Sequence, residues 1–202
     1  MIKTLVALCF FAMCPALSAQ ANLQTFMSPD GVFQFIHSKI LIHCMAEEGS
    51  WTPVEACSGP GSVCDDVSGS RTVVCFAYPR DGFTKKPAFG GAAFFAAEIN
   101  QATDEKACLA GEDWLVHGTE NSYINGVRFK VFHISDAWMS HSQGGDIYRT
   151  FHGKKCYELG IQQVWVSTGG LDAGTFQEFT KENARMVRLR LKQALDSFRF
   201  LK

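Results

Sequence analysis

Side chains able to do chemistry are concentrated in one polar stretch of the second half of the chain. It runs from Ile134 to Gly145 (ISDAWMSHSQGG) and carries Ser135, Asp136, Ser140, His141 and Ser142, with His133, Asp146 and His152 close by. Serine, histidine and aspartate are the parts of a nucleophilic hydrolase: a carboxylate orients an imidazole, which takes the proton of a hydroxyl within about 3 Å. His141 would be that base and Asp136 its orienter. No G-x-S-x-G elbow fixes a nucleophile, so a secreted or periplasmic hydrolase is the alternative reading and not the leading one. His133, Asp136, His141 and Asp146 would also give a cation two imidazoles and two carboxylates. Their spacing, H-x2-D-x4-H-x4-D, is not a zinc pattern, and the chain has no H-E-x-x-H helix. Gly144-Gly145 and Gly90-Gly91 lack the lysine and the following helix of a phosphate loop, so no cofactor is implied.

The same stretch reads better as a contact surface. Asp136, Trp138 and His141 combine an aromatic anchor with polar groups, and Tyr148 and Arg149 on the next strand would form a polar rim. Trp138, and Trp165 just before a glycine-rich linker, either form that surface or fold back to close the core, and for Trp138 taken alone the core is the favoured place. Twelve residues is long for a connection between antiparallel strands, where about two to five are usual. Such length is often kept for binding, with Gly144-Gly145 as a hinge.

Several elements must position this stretch. Val32 to His43 alternates in two phases that break near Ser38-Lys39, the mark of a bulge or of a turn between short strands. Residues 20–31 are polar, with a turn at Pro29 to Gly31. Arg71 to Tyr78 is a strand stopped by Pro79. Phe89 to Ala97 favours a strand, followed by a short helix or turn over Asn100 to Ala110. Asn125-Gly126 between Tyr123-Ile124 and Val127 to Phe129 marks a type I′ hairpin. Asp146 to Phe151 and Lys155 to Val166 are strands around His152 to Lys154. The period then changes from two to about 3.6: Phe176, Phe179, Ala184, Val187, Leu191, Ala194 and Phe198 mark an amphipathic helix over Phe176 to Ser197. Thr175 and Glu178 have the spacing of its capping box. Strands in the middle and one long closing helix predict an α+β domain, a central antiparallel sheet packed against the C-terminal helix.

Composition narrows the setting. Of the 202 residues, the first 19 combine Lys3, an apolar run from Leu5 to Met13, and Ala16-Leu-Ser-Ala19, the parts of a cleavable signal peptide. The run is too short to span a bilayer, and no later stretch supplies a transmembrane anchor. Neither Cys9 nor Cys14 sits in a lipidation box. Residues 20–202 then form a single exported domain, secreted or periplasmic, with 18 of the 19 basic residues against 20 acidic ones. That balance argues against nucleic acid as a partner. Arg185, Arg188, Arg190 and Lys192 read as a solvated helix face.

Six cysteines remain after the signal: Cys44, Cys57, Cys64, Cys75, Cys108 and Cys156. In an exported chain they read as three disulfides. Short loop closure favours Cys57–Cys64, strand pairing favours Cys44–Cys75, and Cys108–Cys156 is left. Zinc is the competing reading, but Cys57-x6-Cys64-x10-Cys75 lacks the close pairs of zinc knuckles and export disfavours free thiolates.

Two resemblances accompany this pattern. GVFQF (Gly31 to Phe35) with Ile36-His-Ser38, the antiparallel middle, and LDSFRF (Leu195 to Phe200) resemble exported domains of the PsbP/Mog1-type fold, a central antiparallel sheet flanked by helices. Ile124 to Ile161 resembles a segment of a group of uncharacterised signal-bearing bacterial proteins, which brings no activity with it. The first resemblance implies a binding or accessory role, by analogy of fold alone. The expected function is an exported, non-enzymatic binding or accessory protein whose partner is a protein or glycan of the cell envelope.

Overall fold

The computed structural model describes residues 22–44, 57, 64, 70–81, 83, 88–110, 120–138, 141–166 and 177–201. The signal segment, Thr175 and Phe176, and most of the excursion between Cys44 and Ser70 lie outside them.

Period-two runs become strands wherever they find partners. The described elements are β1 (Leu23–Met27), β2 (Phe33–Ser38), β3 (Ile42–His43), β4 (Ser70–Ala77), β5 (Phe89–Ile99), α1 (Glu105–Cys108), β6 (Glu120–Ile124), β7 (Val127–Trp138), β8 (His141–His152), β9 (Lys155–Val166), α2 (Lys181–Ser197) and β10 (Arg199–Phe200). A seven-stranded antiparallel sheet has the order β3-β4-β5-β9-β8-β7-β6, and a smaller sheet has the order β1-β2-β10. The phase break at Ser38-Lys39 is the turn by which the chain leaves one sheet for the other. β1 falls in the polar region 20–31, where Leu23, Thr25 and Met27 alternate weakly; pairing with β2 from Leu23↔Ser38 to Met27↔Gln34 makes it a strand.

The expected hairpin is present. Asn125 and Gly126 take φ values of +47° and +83°, as a primed turn requires. The Asn125 amide also donates to the carbonyls of Asp196 and Phe198, at 3.0 and 2.7 Å, and so anchors the end of α2 to this turn.

α2 begins at Lys181, five residues later than its apolar spacing predicts. The capping box is Thr180 with Asn183: the Asn183 N–H donates to Thr180 Oγ1 at 3.2 Å, and the Thr180 N–H donates to Asn183 Oδ1 at 3.1 Å. Two helix-end donors are thereby satisfied by Thr180 and Asn183, while the expected cap at Thr175 lies outside the described residues. Phe179 precedes the helix and stacks on Phe89, centroids 5.1 Å apart. Val187, Leu191, Ala194 and Leu195 then form the buried stripe, sealed against Phe33, Phe35, Phe94, Phe129, Leu159 and Phe198. Full burial of one such leucine or phenylalanine stabilises by about 1.5–3 kcal/mol.

The other face of the large sheet holds a second cluster, in which Cys75, Ala93, Phe95, Phe132, Ile134, Ile147 and Val164 pack together. All three disulfides form, but two differ from the expected pairing: Cys44 joins Cys57 and Cys64 joins Cys75, while Cys108–Cys156 is as expected. Cys44 and Cys75 do meet across β3 and β4, and the Cys44 N–H donates to the Cys75 carbonyl at 2.9 Å. Each turns its sulfur to a cysteine of the excursion between them.

The described residues of the Ile134 to Gly145 stretch are strand and not loop; Met139 and Ser140 lie outside them. β7 and β8 run through it as one hairpin, in unbroken register from Lys130↔Arg149 to Trp138↔His141. β9 pairs β8 on the other side as far as His141↔Val166. Ser, Gly and Asp are poor strand formers, but a ladder that satisfies β8 on both edges outweighs their preference. Gly144-Gly145 is therefore no hinge. A Cβ on Gly145 would lie 2.2 Å from the Ile161 carbonyl oxygen, so glycine is what lets β8 and β9 approach.

Candidate functional site

Strand alternation decides which polar residues meet. On the face of β7 and β8 that looks toward α2, His133 stands opposite Asp146 and its Nδ1 lies 2.6 Å from Asp146 Oδ1. Arg188 of α2 pairs with the other carboxylate oxygen, Oδ2. The Tyr148 hydroxyl approaches that oxygen at 3.5 Å. Asp146 is buried, so its charge needs this enclosure. The Tyr148 hydroxyl is pushed up to about 12, chiefly by burial and then by the Asp146 charge.

α2 is held over this point by its own backbone. The Gln163 amide on β9 donates to the Ala184 carbonyl at 2.9 Å, and Arg188 follows one turn later. The carboxylate takes Nδ1 of His133, an arrangement that leaves the Nε2 edge of a half-exposed imidazole to present to other groups. Trp165, half-buried at the end of β9, lies over Gly144, where a Cβ would come within 3.2 Å of the indole.

The residues expected to form one contact surface are distributed over two faces. Asp136 shares the alternation of Phe132 and Ile134, and His141 that of Ile147, so both belong to the face away from α2. Asp136 is exposed and accepts from the Ala137 N–H at 2.7 Å; His141 is half-exposed, and its backbone pairs with Trp138. The proposed four-residue metal set is thus divided, His133 and Asp146 on one face, Asp136 and His141 on the other. Tyr148 and Arg149 are neighbours in sequence and also take opposite faces. Tyr148 is buried beneath α2, and Arg149 is buried against Glu158 at 2.6 Å, the Ala110 carbonyl at 3.1 Å and the Phe132 ring. Neither forms an open polar rim.

Arg188 is the residue that reading the sequence misplaced, on a solvated face. The signal was its position beside Val187 and four residues after Ala184, on the flank of the buried stripe. Arg185 is mostly exposed and pairs with Glu182 at 3.8 Å, as a solvated face predicts. A surface groove of about 690 Å³ runs along the outer side of α2, lined in part by Met186, Leu189, Arg190 and Gln193. None of its lining residues belongs to the Asp146 cluster, and its charged pair is Lys192 with Asp196.

Among the described residues, no helix is long and apolar enough to cross a membrane. No protein-family model and no curated protein matches the chain. Among solved structures, the chain is similar to cyanobacterial PsbP (CyanoP) from Synechocystis sp. PCC 6803, at 10% identity and a TM-score of 0.47, with 96% of this chain and 98% of that one covered. It is also similar to a protein from Bacteroides thetaiotaomicron VPI-5482, at 13% identity and a TM-score of 0.45, with 88% of this chain covered. The match spans about half of that second structure, 48% of its length. Both are weak likenesses of fold, one of them to the PsbP/Mog1-type architecture, and no functional residue is carried over from either.

Proposed function

We propose that the protein is an exported, non-enzymatic binding or accessory module. Its partner is a protein or glycan of the cell envelope, and it meets that partner with the far end of the β7–β8–β9 ribbon. The observation that carries this reading is that the ladder stays paired to Trp138↔His141 and His141↔Val166 while the residues on it change from buried to open. Ile134 and Asp146 are buried, Ser135 to Ala137 are exposed, and His141 to Gly145 are half-exposed. A polar surface on a paired ribbon loses little freedom when it docks, so less of the contact energy is spent on ordering. Three disulfides support export, because they persist in oxidising compartments.

A second reading is favoured by the His133–Asp146 pair, which has the orientation of a general base held by its carboxylate. One experiment addresses both. Affinity for partners captured from the native envelope is measured by calorimetry for the parent, Asp136→Ala and His141→Ala, beside a screen of ester, peptide and glycan turnover. Both variants are expected to bind more weakly with melting shifts under about 4 °C. Full affinity in both would remove the ribbon's end from the function. Turnover that His133→Ala abolishes without loss of stability would make the protein a hydrolase.

A further inference from the structure

Asn125 and Gly126, the central residues of the turn between β6 and β7, are both exposed. Asparagine followed by glycine is open to deamidation, because glycine has no side chain to hinder attack of its nitrogen on the carboxamide. In this fold the same carboxamide is a fastening: Nδ2 donates to the carbonyls of Asp196 and Phe198, at 3.0 and 2.7 Å. We propose that Asn125 is a modification site, at which deamidation unties the β6–β7 turn from the C-terminal end of α2.

The step needs only water. The Gly126 nitrogen bonds to Cγ of Asn125, and Nδ2 takes the displaced proton and leaves as ammonia, closing a five-membered imide. Water then opens the ring at either carbonyl, giving aspartate or isoaspartate. The leaving nitrogen is the anchoring atom, so both of its hydrogen bonds are lost as it departs. The folded end of α2 therefore guards the site, and local opening of that end exposes it.

The product cannot take over the anchor. A carboxylate only accepts hydrogen bonds, and the groups it would face are carbonyl oxygens, which also only accept. They lie at the C-terminal end of α2, the negative pole of its dipole, where added negative charge is repelled. The turn itself does not resist aspartate. At residue 125 φ is +47°, a left-handed conformation that aspartate, like asparagine, adopts. Isoaspartate also inserts a carbon into the main chain beside the pair Ile124↔Val127. What remains to hold the helix end is the Ser197 hydroxyl, which accepts from the Ile36 N–H at 2.7 Å, and the packing of Phe198 on Phe33.

The test keeps the full chain in mildly alkaline buffer, folded or unfolded in urea, and follows residue 125 by peptide mass mapping with enzymatic detection of isoaspartate. Conversion is expected in both samples, about tenfold slower in the folded one. Ser197→Ala, which loosens the helix end without touching the turn, should convert faster than the folded parent. Asn125→Asp should lower the melting midpoint by about 5 °C and speed hydrogen exchange at Phe198 and Phe200. The parent should lose stability in the same way on ageing, and Asn125→Gly, which keeps a primed turn, should not. The proposal is overturned by any of four results: no conversion at residue 125 in the folded chain, equal rates folded and unfolded, an Asn125→Asp variant with the parent's midpoint and exchange, or an equal ageing loss in Asn125→Gly.

Discussion

Arg149 and Glu158 stand opposite each other on β8 and β9, nitrogen to oxygen 2.6 Å, with both side chains sealed almost completely from water. A buried pair of this kind is costly to break, because the remaining charge has lost its counter-ion in a medium of low dielectric. Arg149→Met is expected to destabilise by about 3–5 kcal/mol in urea unfolding at pH 7, and adding Glu158→Leu should recover most of the loss. A loss of less than about 1 kcal/mol in the single variant would show that the pair is not sealed as described.

Gly145 is expected to tolerate no side chain. The Ile161 carbonyl, 2.2 Å from where a Cβ would stand, is backbone and cannot swing aside. Gly145→Ala should therefore cost about 1–3 kcal/mol and weaken the β8–β9 ladder first. Hydrogen exchange of the amides around Gln162 would show where the loss falls; an unchanged pattern with unchanged stability would refute the close approach.

His37 gives the fold a dependence on acid. Its ring is packed on Phe76, centroids 4.1 Å apart, and burial holds its pKa below the ordinary histidine value. The unfolded chain then binds the proton more tightly than the folded one. The stability contributed by neutral His37 is complete above about pH 6.5 and is lost as pH falls toward the lower folded value. His43, also stacked on Phe76, is shifted in the same direction by burial. Urea midpoints at pH 7 and pH 5 should differ less for His37→Phe than for the parent. Equal differences would assign the acid sensitivity elsewhere.

The disulfides differ in the loops they close. Cys108–Cys156 spans 48 residues of sequence, against 13 and 11 for the other two. On the chain-entropy account, a fourfold longer loop adds about 1.2 kcal/mol. Replacing Cys108 and Cys156 together by alanine should thus cost about 1 kcal/mol more than replacing Cys64 and Cys75. Non-reducing peptide maps should recover Cys44 with Cys57 and Cys64 with Cys75; fragments joining Cys44 to Cys75 would contradict the pairing.

What was legible in the sequence depended on whether a local signal or a distant partner decided the structure. The Asn125-Gly126 turn, the strands around Phe94 and Leu159, and the stripe from Val187 to Leu195 are written in local period and turn chemistry. The α+β class followed from them. β1 and the far half of β8 are strands because of what lies beside them, so their own composition misled. The two wrong disulfides have the same origin: Cys44 and Cys75 are neighbours as strand pairing implied, but sulfur direction depends on a long excursion. At the site, residue types drew attention to His133, Asp136, His141 and Asp146 together. Only the register reveals that the first and last meet while the other two lie across the sheet, and only the helix position brings in Arg188.

The small sheet has a consequence for timing. β10 follows α2 directly and pairs with β2, and the Ser197 hydroxyl binds the backbone of Ile36, 161 residues earlier in the chain. Phe198 then closes on Phe33 and Phe129. Contacts so remote in sequence are slow to form, because the chain between them must be confined before any contact energy is returned. During synthesis, β1 and β2 emerge long before their third strand exists and must wait as a two-stranded hairpin, which in water is at best marginal. Completion of the core is thus postponed until residues 197–201 have left the ribosome, and until then the apolar edge of β2 that β10 will cover stays without its third strand.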